Sequence, residues 1–286
     1  MGASITSGQK KQIERMCQDA GAAAIEAIGL DDDSAQRVIG RGDELRSTII
    51  DRIRELSGNR FALDEKKSNY RYPEAYKIKG ITEQTNRLRE LFSGVGYADE
   101  KLVSQPLPEF AEGWFAILRW ETLAKTYGEA VEKVLAMIKK TRNGKFYNYR
   151  ENQLGSQYLR QHKRTVQMFQ TLCDQQKGYD ILVVPAQFGL LHRGRSVRYA
   201  REVFMPCEFG LGAFAVGCML LTHPERLVQW EQLHIDCAGD KFSSGAAGQF
   251  DEAPFFRFCD GKVKFNACWV HSAYEYYGSA SGFLPQ

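Results

Sequence analysis

Long apolar runs are missing from this chain. None approaches the ~18 residues that a membrane-crossing helix requires, so no membrane span is expected. The opening residues Met1-Gly2-Ala3-Ser4-Ile5-Thr6 lack a basic segment followed by an apolar one, the pattern of a secretory leader. Cysteine is sparse, with seven residues in 286, an odd number and no C-x-x-C pair. That excludes a small disulfide scaffold and fits free thiols in a reducing, cytoplasmic setting. The signatures of several enzyme classes are absent too: there is no Walker A segment, no G-x-S-x-G and no H-E-x-x-H. Gly210-x-Gly212 with Gly217 does not complete G-x-G-x-x-G, and Asp31-Asp32-Asp33 lacks the glycine and terminal glutamate of a calcium loop.

What is present is the composition of a folded protein, 43% hydrophobic and 26% charged. The net charge of +3 hides an asymmetry. Residues 139–201 carry 13 Lys/Arg against three Asp/Glu, whereas residues 202–286 carry five against ten. A basic block of this kind faces a polyanion, or else an acidic block of its own fold.

Periodicity divides the chain. Ile13, Cys17, Ala20, Ala24 and Ile28 recur at helical steps, so a helix is expected over 8–28, ending at Gly29. Asp33 or Ser34 would cap a second helix and Asp43 a third. Residues 1–57 thus read as a small helical module, a candidate for homo-oligomer contacts. The polar stretch 58–73 reads as a linker. Residues 74–286 then mix strands and helices: strands at Tyr76–Lys79, Trp114–Trp120, Lys145–Tyr149, Ile181–Val184 (stopped by Pro185) and Leu233–Cys237, and helices over 82–92, 122–141, 155–176, 195–204 and 209–222. The expected fold is α+β, with one mixed sheet of about five or six strands behind the helical module. Asp260-Gly261 marks a hairpin within 254–268. In it Phe258 faces Val263 and Phe256 faces Phe265 on one side, and Arg257 faces Lys264 on the other.

Four constellations carry chemistry. His192, Arg193, Arg195, Arg198 and Arg201 follow a buried strand and open a helix, a setting for an anion. Lys145, Arg150, Arg160, Lys163 and Arg164 are interleaved with Phe146, Tyr147, Tyr149 and Tyr158, and cations with aromatic rings suit phosphates and unstacked bases. His234-x-x-Cys237 and Cys268-x-x-His271 have the look of metal ligands, but strand positions i and i+3 point to opposite faces, so zinc is not expected. Asp236 and Asp240 beside the glycine-rich segment 238–254 would serve as general base or hold Mg²⁺. The leading expectation is a nucleic-acid-associated protein using 139–201. The alternatives are an enzyme for a phosphate-bearing substrate, with the Arg195/Arg198 helix as its anion site, and a structural assembly protein.

Overall fold

The computed structural model describes residues 5–56, 61, 63–245 and 248–285. The chain divides into two compact units, 1–62 and 63–286.

Among the described residues the first unit holds three helices: α1 (Ser7–Ile28), α2 (Asp32–Gly40) and α3 (Gly42–Leu56). Thr6 and Gln9 close a reciprocal capping box at the start of α1, and Gly29 ends it in the left-handed conformation (φ 62°), which a residue without Cβ adopts freely. The cap of α2 is Asp31 rather than Asp33 or Ser34; its carboxylate accepts from the Ser34 N–H. No residue of α1 or α2 is buried, and Ile13, Ile25, Ile39 and Leu45 stand exposed. The apolar periodicity therefore makes helices here without making a core.

The second unit takes in most of the expected linker. Residues 58–60 and 62 lie outside the described residues. From Leu63 onward the segment is bonded into the unit: Asp64 is fully buried, Glu65 bridges Arg195 and Arg71 bridges Gln232. The Tyr76–Lys79 stretch forms no strand. Its residues are bonded instead to the loop after a later helix, with the Lys79 N–H donating to His223 Nε2 at 3.1 Å.

Next come α4 (Ile81–Leu91), β1 (Gly113–Leu118), α5 (Tyr127–Thr141), β2 (Phe146–Asn148), β3 (Leu159–Gln161) and α6 (Lys163–Gln175). Helix α6 starts eight residues later than its periodicity suggests, because Leu159–Gln161 is taken into a sheet and His162 caps the helix. Then follow β4 (Ile181–Gln187), α7 (Val197–Val203), β5 (Glu208–Gly210), α8 (Ala213–Thr222), β6 (His234–Asp236), β7 (Asp240–Phe242), β8 (Glu252–Cys259), β9 (Lys262–Trp269), β10 (Tyr277–Ser279) and β11 (Ser281–Phe283). Strand β4 runs through Pro185. Its ladder to β11 ends at Ala186, so a residue without an N–H is tolerated there.

The fold is α+β, but the strands form two sheets rather than one of five or six strands. One is four-stranded, in the order β1-β4-β11-β5, and the other is seven-stranded. Helix α8 is buried along its whole length, as its all-round apolar sequence requires. It packs on α5 so closely that a Cβ at Gly217 would lie 2.4 Å from Val134. All seven cysteines are free. Among the described residues no helix is long and apolar enough to cross a membrane.

Candidate functional site

The hairpin β8–β9 organises the second sheet. Asp260 (φ 53°) and Gly261 (φ 70°) form its turn, and the register pairs Phe258 with Val263, Phe256 with Phe265 and Arg257 with Lys264, as its sequence predicts. Phe256, Phe265 and Val263 are buried in the core. Side chains alternate along a strand, so the opposite face carries Phe255, Arg257, Lys264, Asn266 and Cys268.

Pairing across strands extends this face on both sides. Strand β2 runs parallel to β9 and sets Tyr147 beside Lys264. Strand β6 sets Asp236 beside Phe255, and β10 sets Tyr277 beside His234 and Ser279 beside Asp236. Two rows result. One runs Tyr147, Lys264, Arg257 and, one residue past the last β6–β8 pair, His234 and Tyr277. The other runs Asn266, Phe255, Asp236 and Ser279. At the spacing of neighbouring strands the first row spans about 19 Å.

At the β2 end the face is open. Tyr147 and Tyr149 are half exposed and in edge contact, with ring centroids 4.6 Å apart. The Lys264 ammonium lies 5.9 Å from the Tyr149 ring and is bound by the Asp260 carboxylate, which relieves the facing of Arg257 and Lys264. Lys139, Lys140 and Lys145 are exposed nearby in sequence. Lys139 and Tyr147 share a groove of about 380 Å³ between α5 and β2, with Glu132 and Glu151 also on its wall.

At the β6 end the face closes into a cleft of about 120 Å³ walled by Asp236, Phe255, Arg257, Tyr274, Tyr276 and Tyr277, among others. Burial pushes the Asp236 carboxyl up to about 7, and the Arg201 guanidinium opposes that only in part. Burial also raises Tyr274, Tyr276 and Tyr277. Several polar atoms on this face are buried without a hydrogen-bond partner: both ring nitrogens of His234, Ser279 Oγ and Arg257 Nε. His234 is instead packed among the rings of Trp230, Tyr276 and Tyr277. Burial and the nearby Arg226 and Arg257 charges lower its pKa to about 3.

Asp240 differs from Asp236. Both its oxygens accept from the Tyr127 hydroxyl (2.8 and 2.9 Å), and Oδ2 also accepts from the Ala213 N–H at the start of α8 (2.7 Å). A Cβ at Gly212 would lie 2.3 Å from Asp240 Oδ1, so the site is closed around the carboxylate. Burial raises Asp240 to about 7, against these bonds. Asp240 therefore fastens α8 to the second sheet, and Asp236 is the carboxylate that lines a cleft.

The arginines around α7 are committed within the unit. Arg195 Nε donates to Glu65 (2.9 Å), and Arg198 donates to Asp64 with both Nε and Nη2 (3.0 Å each). Arg201 donates to the carbonyls of Ala238 and Asp240, and Arg193 to that of Tyr70. His192 is buried, with Nε2 2.7 Å from Glu208. The partners of Arg195 and Arg198 come from the segment expected to be a linker, not from the acidic C-terminal block. Further along the basic block, Arg150 reaches Glu252 at 3.4 Å, while Arg160 and Arg164 donate to backbone carbonyls and Lys163 is exposed. A carbonyl satisfies a guanidinium's hydrogen bond without cancelling its charge.

His234, Cys237, Cys268 and His271 do not converge; among the described residues no three of His, Cys, Asp and Glu are placed to share a metal ion. The aromatic cleft is the feature that sequence reasoning missed. Its signal was present in the tyrosines of 274–277, which follow the hairpin. Comparison with protein-family models, with curated proteins and with solved structures finds no match.

Proposed function

We propose that the second unit binds single-stranded nucleic acid along the face of its seven-stranded sheet, entering at the Tyr147/Tyr149 edge. The observation that carries this reading is an exposed pair of tyrosines, Tyr147 on an edge strand and Tyr149 just past its end, in the most basic part of the chain and one strand from Lys264 and two from Arg257. Aromatic faces stack on bases of any sequence, and cations follow the phosphates. The basic block keeps much of its charge, because Arg142, Arg160, Arg164 and Arg193 donate to backbone carbonyls. A single strand suits these features better than a duplex. The tyrosines can stack only on bases that are already unpaired. Helix α6, the one helix of the basic block after α5 with more than two turns, has its Arg164 turned to the carbonyls of Met205 and Pro206 rather than outward.

The test is binding of a labelled single strand and a labelled duplex across a salt series. The single strand should bind more tightly, with log affinity falling linearly in log salt at a slope of about −0.7 per phosphate contacted. Replacing both Tyr147 and Tyr149 with alanine should weaken it by about 1–3 kcal/mol per base unstacked. Undiminished affinity in that double variant, or no binding by the intact protein at low salt, would refute the reading.

A further inference from the structure

We infer that the cleft between β6, β8 and the tyrosines of 274–277 is a pocket for a guanine base, read by the Asp236 carboxylate. This rests on the reading of the sheet face as a single-strand surface and names what one part of that surface recognises.

The pocket's chemistry selects a flat, apolar-faced ligand with a polar edge. Its walls include Phe255, Tyr274, Tyr276 and Tyr277, and its volume of about 120 Å³ suits one ring system rather than a chain segment. Asp236 is the one carboxylate among its lining residues, and no hydrogen bond or backbone N–H supports it. Asp236 is half-buried at the wall of the cleft, so its oxygens are open to a donor that a ligand supplies. Four buried polar atoms on the same sheet face lack partners among the described residues: both nitrogens of His234, Ser279 Oγ and Arg257 Nε. Ser279 is the direct cross-strand neighbour of Asp236. Of these residues Arg257 lines the cleft itself, so a carboxylate and a guanidinium face it together and offer a polar ligand both acceptors and donors.

The two oxygens of a carboxylate are parallel acceptors. Among the common bases only guanine places two adjacent donors, N1–H and the N2 amino group, on its pairing edge. Adenine and cytosine offer one amino donor beside an acceptor, and uracil offers one imino donor between two acceptors. Unstacked bases in single strands are recognised by stacking on aromatic rings and by hydrogen bonds to this edge. Arg257 lines the same cleft and is the cross-strand neighbour of Lys264, whose ammonium is paired with Asp260, so the Arg257 guanidinium is the cation between the pocket and the Tyr147 edge, where a connected strand would run.

The experiment uses the intact chain. GMP, AMP, CMP and UMP are titrated separately by calorimetry. In parallel, a labelled oligouridylate is compared with the same oligomer carrying one central guanosine. GMP should bind at least about tenfold more tightly than the other three, and the guanosine oligomer about tenfold more tightly than plain oligouridylate. Asp236→Asn presents one acceptor and one donor, which match xanthine (N1–H and O2) instead of guanine. The variant should prefer XMP to GMP, a gain that an unfolded protein cannot give. GMP binding no better than AMP, or an Asp236→Asn variant that still prefers GMP, would overturn the inference. Salt-dependent binding of plain oligouridylate without any guanine preference would refute the pocket and leave the surface standing. Selective GMP binding with no oligouridylate binding would do the reverse.

Discussion

The two aspartates picked out by the sequence differ in one respect that decides their roles: what donates to them. Asp240 has two donors, one tyrosine hydroxyl shared between both its oxygens and the first N–H of a buried helix. A helix N-terminus favours a carboxylate by its partial positive charge, so Asp240 is a fastening between α8 and β7. Removing the Tyr127 hydroxyl leaves a buried carboxylate with one donor. Tyr127→Phe should therefore destabilise the second unit by about 1–3 kcal/mol at pH 8, the range for stranding a buried polar group. The loss should shrink at pH 5, where Asp240, raised to about 7, is protonated in the folded state. Urea unfolding at the two pH values measures this, and an equal loss at both would show that the charge on Asp240 is not what the hydroxyl serves. Asp236 has none of these donors, and this leaves it available to a ligand. His234 illustrates the opposite error of sequence reading. Beside Cys237 it resembles half a metal site, yet its ring is enclosed by Trp230, Tyr276 and Tyr277.

The hairpin β8–β9 is the element on which both rows of the sheet face depend, and its turn is the place to test that. Gly261 has φ 70° with open space where a Cβ would go, so a substitution there strains the backbone without creating a clash. Gly261→Val should cost about 1–2 kcal/mol, the price of forcing a residue with Cβ into a left-handed conformation. It should also weaken single-strand binding more than the stability loss alone accounts for, because Arg257 and Lys264 lie four and three residues from the glycine. Melting temperature and oligomer affinity measured together separate the two effects, and an unchanged melting temperature would count against the strained turn. This hairpin was legible because its two strands are adjacent in sequence and its turn residues are specific. Helices α1, α5 and α8 were legible for a similar reason, since the period of one segment fixes each. The pairing of β2 with β9 joins residues more than a hundred positions apart, and no local pattern encodes it. The position of Tyr147 beside Lys264 was therefore hidden, as was the pairing of Arg195 and Arg198 with Glu65 and Asp64. Composition marked 58–73 as polar, but polarity does not reveal that Asp64 and Glu65 are taken up by Arg198 and Arg195, more than a hundred positions away.

For the molecule as a whole, the buried titratable groups set how stability depends on pH. Asp236 and Asp240 are each raised to about 7, from an ordinary value near 3.8. A carboxyl with a raised pKa in the folded state binds its proton more tightly there than in the unfolded chain. Its favourable contribution is complete below the ordinary value and is lost as pH rises through about 7. His162 and His223 are lowered to about 4 and His234 to about 3, each chiefly by burial. These groups act in the opposite sense: the unfolded chain takes up their protons first, so stability falls as pH drops below the ordinary histidine value of 6.5 toward 4 or 3. The two sets oppose each other below about pH 6.5. Above it the histidines are neutral in both states and the raised carboxyls act, Asp236, Asp240 and Glu112, the last also raised by burial. Urea midpoints should therefore decline between pH 6.5 and 8. Asp236→Asn removes one of these carriers and should make that decline shallower. A midpoint that rises over this interval, or an unchanged slope in the variant, would mean that Asp236 is not held in the low-dielectric cleft its surroundings describe. The same variant separates stability from recognition: it should be more stable than the parent chain at pH 8 while losing the preference for guanine, a combination that a merely damaged fold does not produce.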